Sequence, residues 1–104
     1  VIIKIDDLEF KNVSFIKVDV EGADLLVLKG AINTIKKFRP IIMIEIEDRY
    51  IESYNIKRKD INSFFIDLNY QTHYYASSRL VKCDIYSTKS NNFIFIPYDH
   101  KVIA

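Results

Sequence analysis

The 104-residue sequence predicts an α/β domain organised around a strand–helix–strand unit. Three observations carry that expectation. The stretch NVSFIKVDV at 12–20 is apolar and β-branched enough for a buried strand, with Lys17 as its one misfit. From Ala23 the period changes, and Leu25, Leu28, Ile32 and Ile35 recur at three- and four-residue steps, the spacing of one helical face. IIMIEIE at 41–47 then returns to a largely apolar run. Strands joined by a crossover of that length are expected to be parallel neighbours, since an antiparallel pair needs only a tight turn.

The remaining elements follow in order. VIIKIDDLEF at 1–10 suits a short edge strand and then a turn or short helix. The helix from Ala23 places Asp24 in its first turn and Lys36 and Lys37 in its last, the order that complements the helix dipole. Arg39-Pro40 closes it near Lys37, because the residue before proline avoids the helical region. Asn55 is expected to cap a second helix running through Leu68, with Ile61, Phe64, Phe65 and Leu68 on one face and Asn69 as a left-handed stop. YQTHYYA at 70–76 alternates like a strand with one wet face, and NNFIFIPYD at 91–99 reads as another, with Pro97 near its end. The Ser- and Lys-rich stretch 77–90 reads as a loop with a short strand around Leu80 to Lys82.

Composition narrows the function. A chain of this length is one domain at most. With 49% hydrophobic and 28% charged residues of both signs, it is an ordinary globular sequence, and its net charge of +1 names no partner. No basic stripe with interleaved aromatics supports nucleic-acid binding. The longest apolar runs, such as IIMI at 41–44, are far short of the ~20 residues of a membrane span. A single cysteine, Cys83, forms no internal disulfide, which suits a reducing cytoplasm. Only two glycines are present, so the Gly-rich turn that cradles a nucleotide-like cofactor is missing.

Parallel strands bring their carboxyl ends to one sheet edge, where open α/β sheets bind ligands. Asp19 with Glu21, and Glu45 with Glu47, are expected at that edge. Alternation places Lys17 and Asp19 on one face of the first strand and Ile16, Val18 and Val20 on the other. Plainer readings cover many of the other polar residues. Glu21 and Asp24 suit first-turn acids, Glu47 and Asp48 solvated loop acids, and Gly30 a close packing contact of the helix on the sheet. His73 and His100 have no companions at metal-ligand spacing, so no metal is expected. Asp19 and Glu45 resist such readings most, since an acid following an apolar strand is costly to bury unless paired or functional.

The run FIKVDVEGADLLVLKGAINTIKKFRPIIMIEI closely resembles the core signature of the FkbM family of S-adenosylmethionine-dependent methyltransferases. The likeness lies in an IKxDVEG strand-turn, a VLKGA-like helix segment, a proline and a strand ending in glutamate. IDDLEF is similar to the family's LDD segment, and NNFIFIP to its terminal strand. The resemblance implies a partial Rossmann-like class I methyltransferase fold: strands four to seven of a mostly parallel sheet with an antiparallel final strand. Strand four would be 13–20, strand five 41–47 and the final pair 70–76 and 91–99. Residues 1–104 would then be the C-terminal portion of a single methyltransferase domain, without its glycine-rich cofactor-binding half.

The same resemblance implies site roles. Asp19 and Glu21 match the catalytic acids near the transferring methyl and the acceptor hydroxyl, with Lys17 and Asp19 toward the cofactor and Glu45 and Asp7 toward the acceptor. The cofactor would be S-adenosylmethionine, bound by the parent protein, and the acceptor a hydroxyl of a small molecule, sugar or lipid-like compound. The sulfonium already makes the methyl electrophilic, leaving the protein to orient the partners and supply one base. Lys17 is placed to pair with Asp19 and keep it ionised. Two other classes compete. One is a non-catalytic module that associates, with itself or a partner, through an exposed sheet edge. The other, a phospho-accepting receiver domain, lacks a lysine before Pro97 at the end of a late strand.

Overall fold

The computed structural model describes residues 4–8 and 10–99. A 3-10 turn spans Ile5–Asp7. β1 (Phe15–Val18) leads to α1 (Asp24–Lys29) and α2 (Ile32–Phe38), then β2 (Ile41–Glu45). α3 (Asp48–Ser53) and α4 (Arg58–Asp67) follow, and β3 (Tyr70–Ala76), β4 (Arg79–Lys82) and β5 (Asn92–Pro97) complete the described chain. Residues 1–3 and His100 lie outside the described residues, so the edge strand expected at the start is not placed.

Among the described residues five strands form one sheet in the order β1-β2-β5-β3-β4. β1 and β2 pair in parallel, with Phe15 opposite Ile41 and Val18 opposite Ile44, as the crossover requires. The expectation of a mostly parallel sheet is overturned, because β2 with β5, β3 with β5 and β3 with β4 are all antiparallel. The reason is the position of β5. It lies between β2 and β3, which run the same way, so one would-be parallel pairing becomes two antiparallel ones. The hairpin β3–β4 adds a third.

The helices do not follow the expected bounds. The first breaks into α1 and α2 at Gly30 and Ala31. The Asp6 carboxylate accepts hydrogen bonds there from the backbone N–H of Asn33 (3.0 Å) and Thr34 (2.8 Å) and from the Thr34 hydroxyl (2.8 Å). These donors at the start of α2 are freed when the helix restarts, and a side chain from the N-terminal segment satisfies them. Gly30 packs against that segment rather than the sheet, since a Cβ there would lie 3.4 Å from Lys4 Cβ and Cγ. Asn55 does not open the second helix. At φ 58° it follows α3 in the left-handed region, and Lys57 caps α4, its N–H donating to the Asp60 carboxylate at 2.8 Å. Asn69, at φ 60°, follows α4 in the left-handed conformation its type favours. Arg39 also turns left-handed (φ 51°) rather than extended, and its guanidinium donates to the carbonyls of Leu68 and Asn69.

Leu25, Leu28 and Ile35 of the first crossover, and Ile61, Phe65 and Leu68 around α4, join Val18, Ile42, Ile44, Phe93 and Phe95 in one core. Phe65 stacks on Phe95 with centroids 3.7 Å apart. Ile41, Met43 and Glu45 alternate to the other face of β2 and stay half-buried. On β1's outer side Phe10 and Phe15 are exposed, Phe15 by 53%. A groove of about 490 Å³, lined in part by Phe10, Ser14, Phe15 and Lys17, runs along that edge. No described strand pairs with it.

Candidate functional site

The carboxyl ends of β1, β2 and β3 share one sheet edge, and β5, running the opposite way, begins there. A cleft of about 120 Å³ opens at this edge, lined by Lys17, Val18, Asp19, Met43, Ile44, Glu45 and Asn92. Three of the residues singled out from sequence, Lys17, Asp19 and Glu45, therefore meet in one place. Asp19 and Lys17 are exposed and Glu45 is half-buried, so the cleft offers carboxylates of differing solvation to one small group. Among the described residues Lys17 and Asp19 form no ion pair, and Lys17 stands as a cation of its own beside the acids.

Asn92 was not singled out from sequence. It stands directly opposite Glu45 in the β2–β5 register and adds an amide donor and acceptor to the cleft. The polar pair opening NNFIFIP was its signal, legible only once the strand's direction is known. Met43, an apolar neighbour on the same face of β2, follows from alternation.

The corner is tightly held. Glu21 (φ 44°) and Gly22 (φ 101°) both adopt positive φ in the turn after β1. At Gly22 a Cβ would lie 2.3 Å from the Tyr50 carbonyl oxygen, so glycine is required for α3 to close down on the turn. Glu21 is exposed on that turn and does not line the cleft. Asp7 lies apart from it as well: its carboxylate accepts from the Lys4 N–H at 3.2 Å. The acid of the IDDLEF segment that reaches into the fold is Asp6. Burial opposes its ionisation, but the Thr34 and Asn33 amides and the Thr34 hydroxyl outweigh it and hold the carboxyl below the usual range.

Glu47 and Asp48 are not merely solvated. Glu47 accepts from Arg49 Nε and from Asn91 Nδ2, each at 3.3 Å, and Asp48 pairs with Arg58 at 2.7 Å. With Ile46 N–H donating to Asn91 O at 2.8 Å, Glu47 fastens the exit of β2 to the start of β5. His73 is half-buried on β3, its Nδ1 3.2 Å from the Gln71 carbonyl oxygen, and burial lowers its pKa. No group of three or more potential metal ligands occurs among the described residues.

Asp24, a plain first-turn acid by sequence, is 2% exposed, and neither carboxylate oxygen has a hydrogen-bond partner. Burial pushes its pKa up. The amides of Val20, Gly22 and Asp24 itself approach without good hydrogen-bond geometry and offset part of that push, while the charge of Asp19 adds to it. The signal was present in the spacing: Asp24 lies one turn before Leu28, on the buried stripe of the helix.

S-adenosylmethionine does not fit wholly within this chain's cleft, since sites that bury a ligand of that size measure roughly 300 to 1,000 Å³. Gly22, the glycine of the strand-end turn, is already covered by Tyr50 and leaves no cradle for a ligand's backbone approach. The residues present form an acid-lined corner suited to a hydroxyl or other small polar group. No helix among the described residues is long and apolar enough to cross a membrane.

Comparison with known proteins gives one match: the family model described as Methyltransferase FkbM domain covers residues 2–72. No curated protein and no solved structure matches the chain at a significant level.

Proposed function

The chain belongs to the FkbM methyltransferase domain family, and from that premise we propose that residues 1–104 are the C-terminal portion of a Rossmann-like methyltransferase domain and supply its acceptor corner. The strand order carries this reading. β1-β2-β5-β3, with β5 antiparallel between two strands of like direction, is the arrangement expected of strands four, five, seven and six. The apolar outer edge of β1 is where the cofactor-binding half of the sheet would continue.

The acceptor is a hydroxyl of a small molecule, sugar or lipid-like compound. Asp19, exposed at the cleft, takes the hydroxyl proton, while Glu45 and Asn92 orient the oxygen by hydrogen bonds and Lys17 keeps the local charge balanced. Glu21, beyond the cleft on the same turn, meets the outer part of the acceptor. Family use of S-adenosylmethionine supplies an electrophilic methyl, held by residues outside this chain. Methyl transfer by the complete domain to a panel of hydroxyl acceptors tests the reading. Asp19→Asn should lower turnover about 10²- to 10⁴-fold, the usual reach of general-base catalysis. Unchanged turnover would leave Asp19 with a structural role only.

A second reading rests on the exposed Phe10 and Phe15 beside β1: a non-catalytic module that self-associates through this edge. Sedimentation of the 104-residue chain separates the two, because Phe15→Lys would dissolve an edge-paired dimer.

A further inference from the structure

An uncompensated buried carboxylate is a liability to a fold. Carboxyls enclosed in protein are normally paired, and leaving one without partners costs on the order of several kcal/mol if it stays charged. Asp24 is such a group. It is 2% exposed with both oxygens unpartnered, directly after the Val20–Ala23 turn that aims Asp19 and Glu21. Gly22 of that turn lies against the Tyr50–Ile51 backbone too closely for a Cβ, so the turn is packed where it covers the start of α1. The cationic partner that would make Asp24 an ordinary buried ion pair is absent among the described residues.

We propose that Asp24 is a positioning residue of the acceptor corner, working as a neutral carboxylic acid that fills the space under the turn while Asp19 carries the corner's negative charge. The charged group acting on Asp24 is Asp19, and its other polar neighbours are the backbone amides of Val20, Gly22 and Asp24 itself. Burial is the main force against an ionised Asp24, and the nearby charge of Asp19 adds to it. The buried member has the larger desolvation cost and is the one to stay neutral. Asp19, at the cleft, is then free to meet a hydroxyl. The link to methyl transfer rests on the reading above, whereas the charge division between the two acids stands without it.

Carbon-detected NMR titration of the side-chain carboxyls in the 104-residue chain tests the proposal. Asp24 should hold its proton to a pH above the ordinary aspartate range near 4. The Asp19 carboxyl resonance should move where Asp24 titrates, and Asp24→Asn, an isostere of the neutral acid, should abolish that movement while melting at an equal or higher temperature at pH 7. An Asp24 that ionises at or below the ordinary range, or an Asp19 signal blind to its titration, would overturn the proposal. The wild-type titration decides the matter even if the variant fails to fold. No readout uses S-adenosylmethionine, so failure of the methyltransferase reading would be seen separately.

Discussion

The Asp6 carboxylate caps α2 at Thr34, 28 residues along the chain, accepting from both its backbone N–H and its hydroxyl at 2.8 Å. Replacing this acid with alanine removes a helix cap and should cost about 0.5–2 kcal/mol, read from urea unfolding. The pH dependence has a definite sign. Asp6 titrates below its ordinary value, so its contribution is fully present above about pH 4 and is lost as pH falls through the lowered value. The wild-type advantage over Asp6→Ala should therefore shrink only in strongly acidic solution.

Gly22→Ala would place a methyl 2.3 Å from the Tyr50 carbonyl oxygen at a φ of 101°. Backbone strain and overpacking together should cost more than about 2 kcal/mol. Amide spectra should show the change concentrated in the Val20–Ala23 turn and in α3, with β3 and β4 little altered.

Arg39 ties the end of α2 to the end of α4 through the Leu68 and Asn69 carbonyls, pairs with Asp99 at 3.1 Å and lies over the Tyr70 ring. Lysine keeps the charge but cannot reproduce a planar fork of donors. Arg39→Lys should lower stability by about 1–3 kcal/mol, mostly through the carbonyl bonds, because the half-open ion pair with Asp99 is screened by solvent. Insensitivity of the difference to salt would support that division.

The Tyr70 hydroxyl, buried, donates to the Pro40 carbonyl at 2.6 Å. Burial, partly offset by Arg39, drives its pKa well above the ordinary tyrosine value. A raised folded value means the bond's contribution is intact below about pH 10 and is lost as pH rises beyond it. Ultraviolet titration should find one tyrosine that ionises only on alkaline unfolding, and Tyr70→Phe should remove it at a cost of about 1 kcal/mol at neutral pH.

Much of this was legible because it depends on local rules. The 3.6-residue period of Leu25, Leu28, Ile32 and Ile35 and the apolar runs on either side specified a parallel βαβ pair, and with it the shared edge of Asp19 and Glu45. Asn69 announced a left-handed stop. The break at Gly30 and Ala31 escaped, because the period of the apolar face continues through it and the cap that permits it comes from Asp6. The second helix was misjudged at its start for a related reason: Asn55 suits an N-cap and a left-handed position equally well, and packing chose the latter.

By itself, then, the sequence determined the strands around 15–18, 41–45, 70–76 and 92–97, the parallel direction of the first two and the family signature around Asp19 and Gly22, while α3 (Asp48–Ser53) fell in a stretch read as loop. The antiparallel direction of the last strand was implied by the family resemblance, but tertiary structure alone decided that β5 lies between β2 and β3 with Asn92 opposite Glu45, and that Asp6 rather than Asp7 reaches into the fold. It also decided that Asp24 is enclosed without a partner while Asp19 remains open. Periodicity reports which face of an element is apolar, but the solvation of a carboxylate depends on groups brought to it from distant parts of the chain.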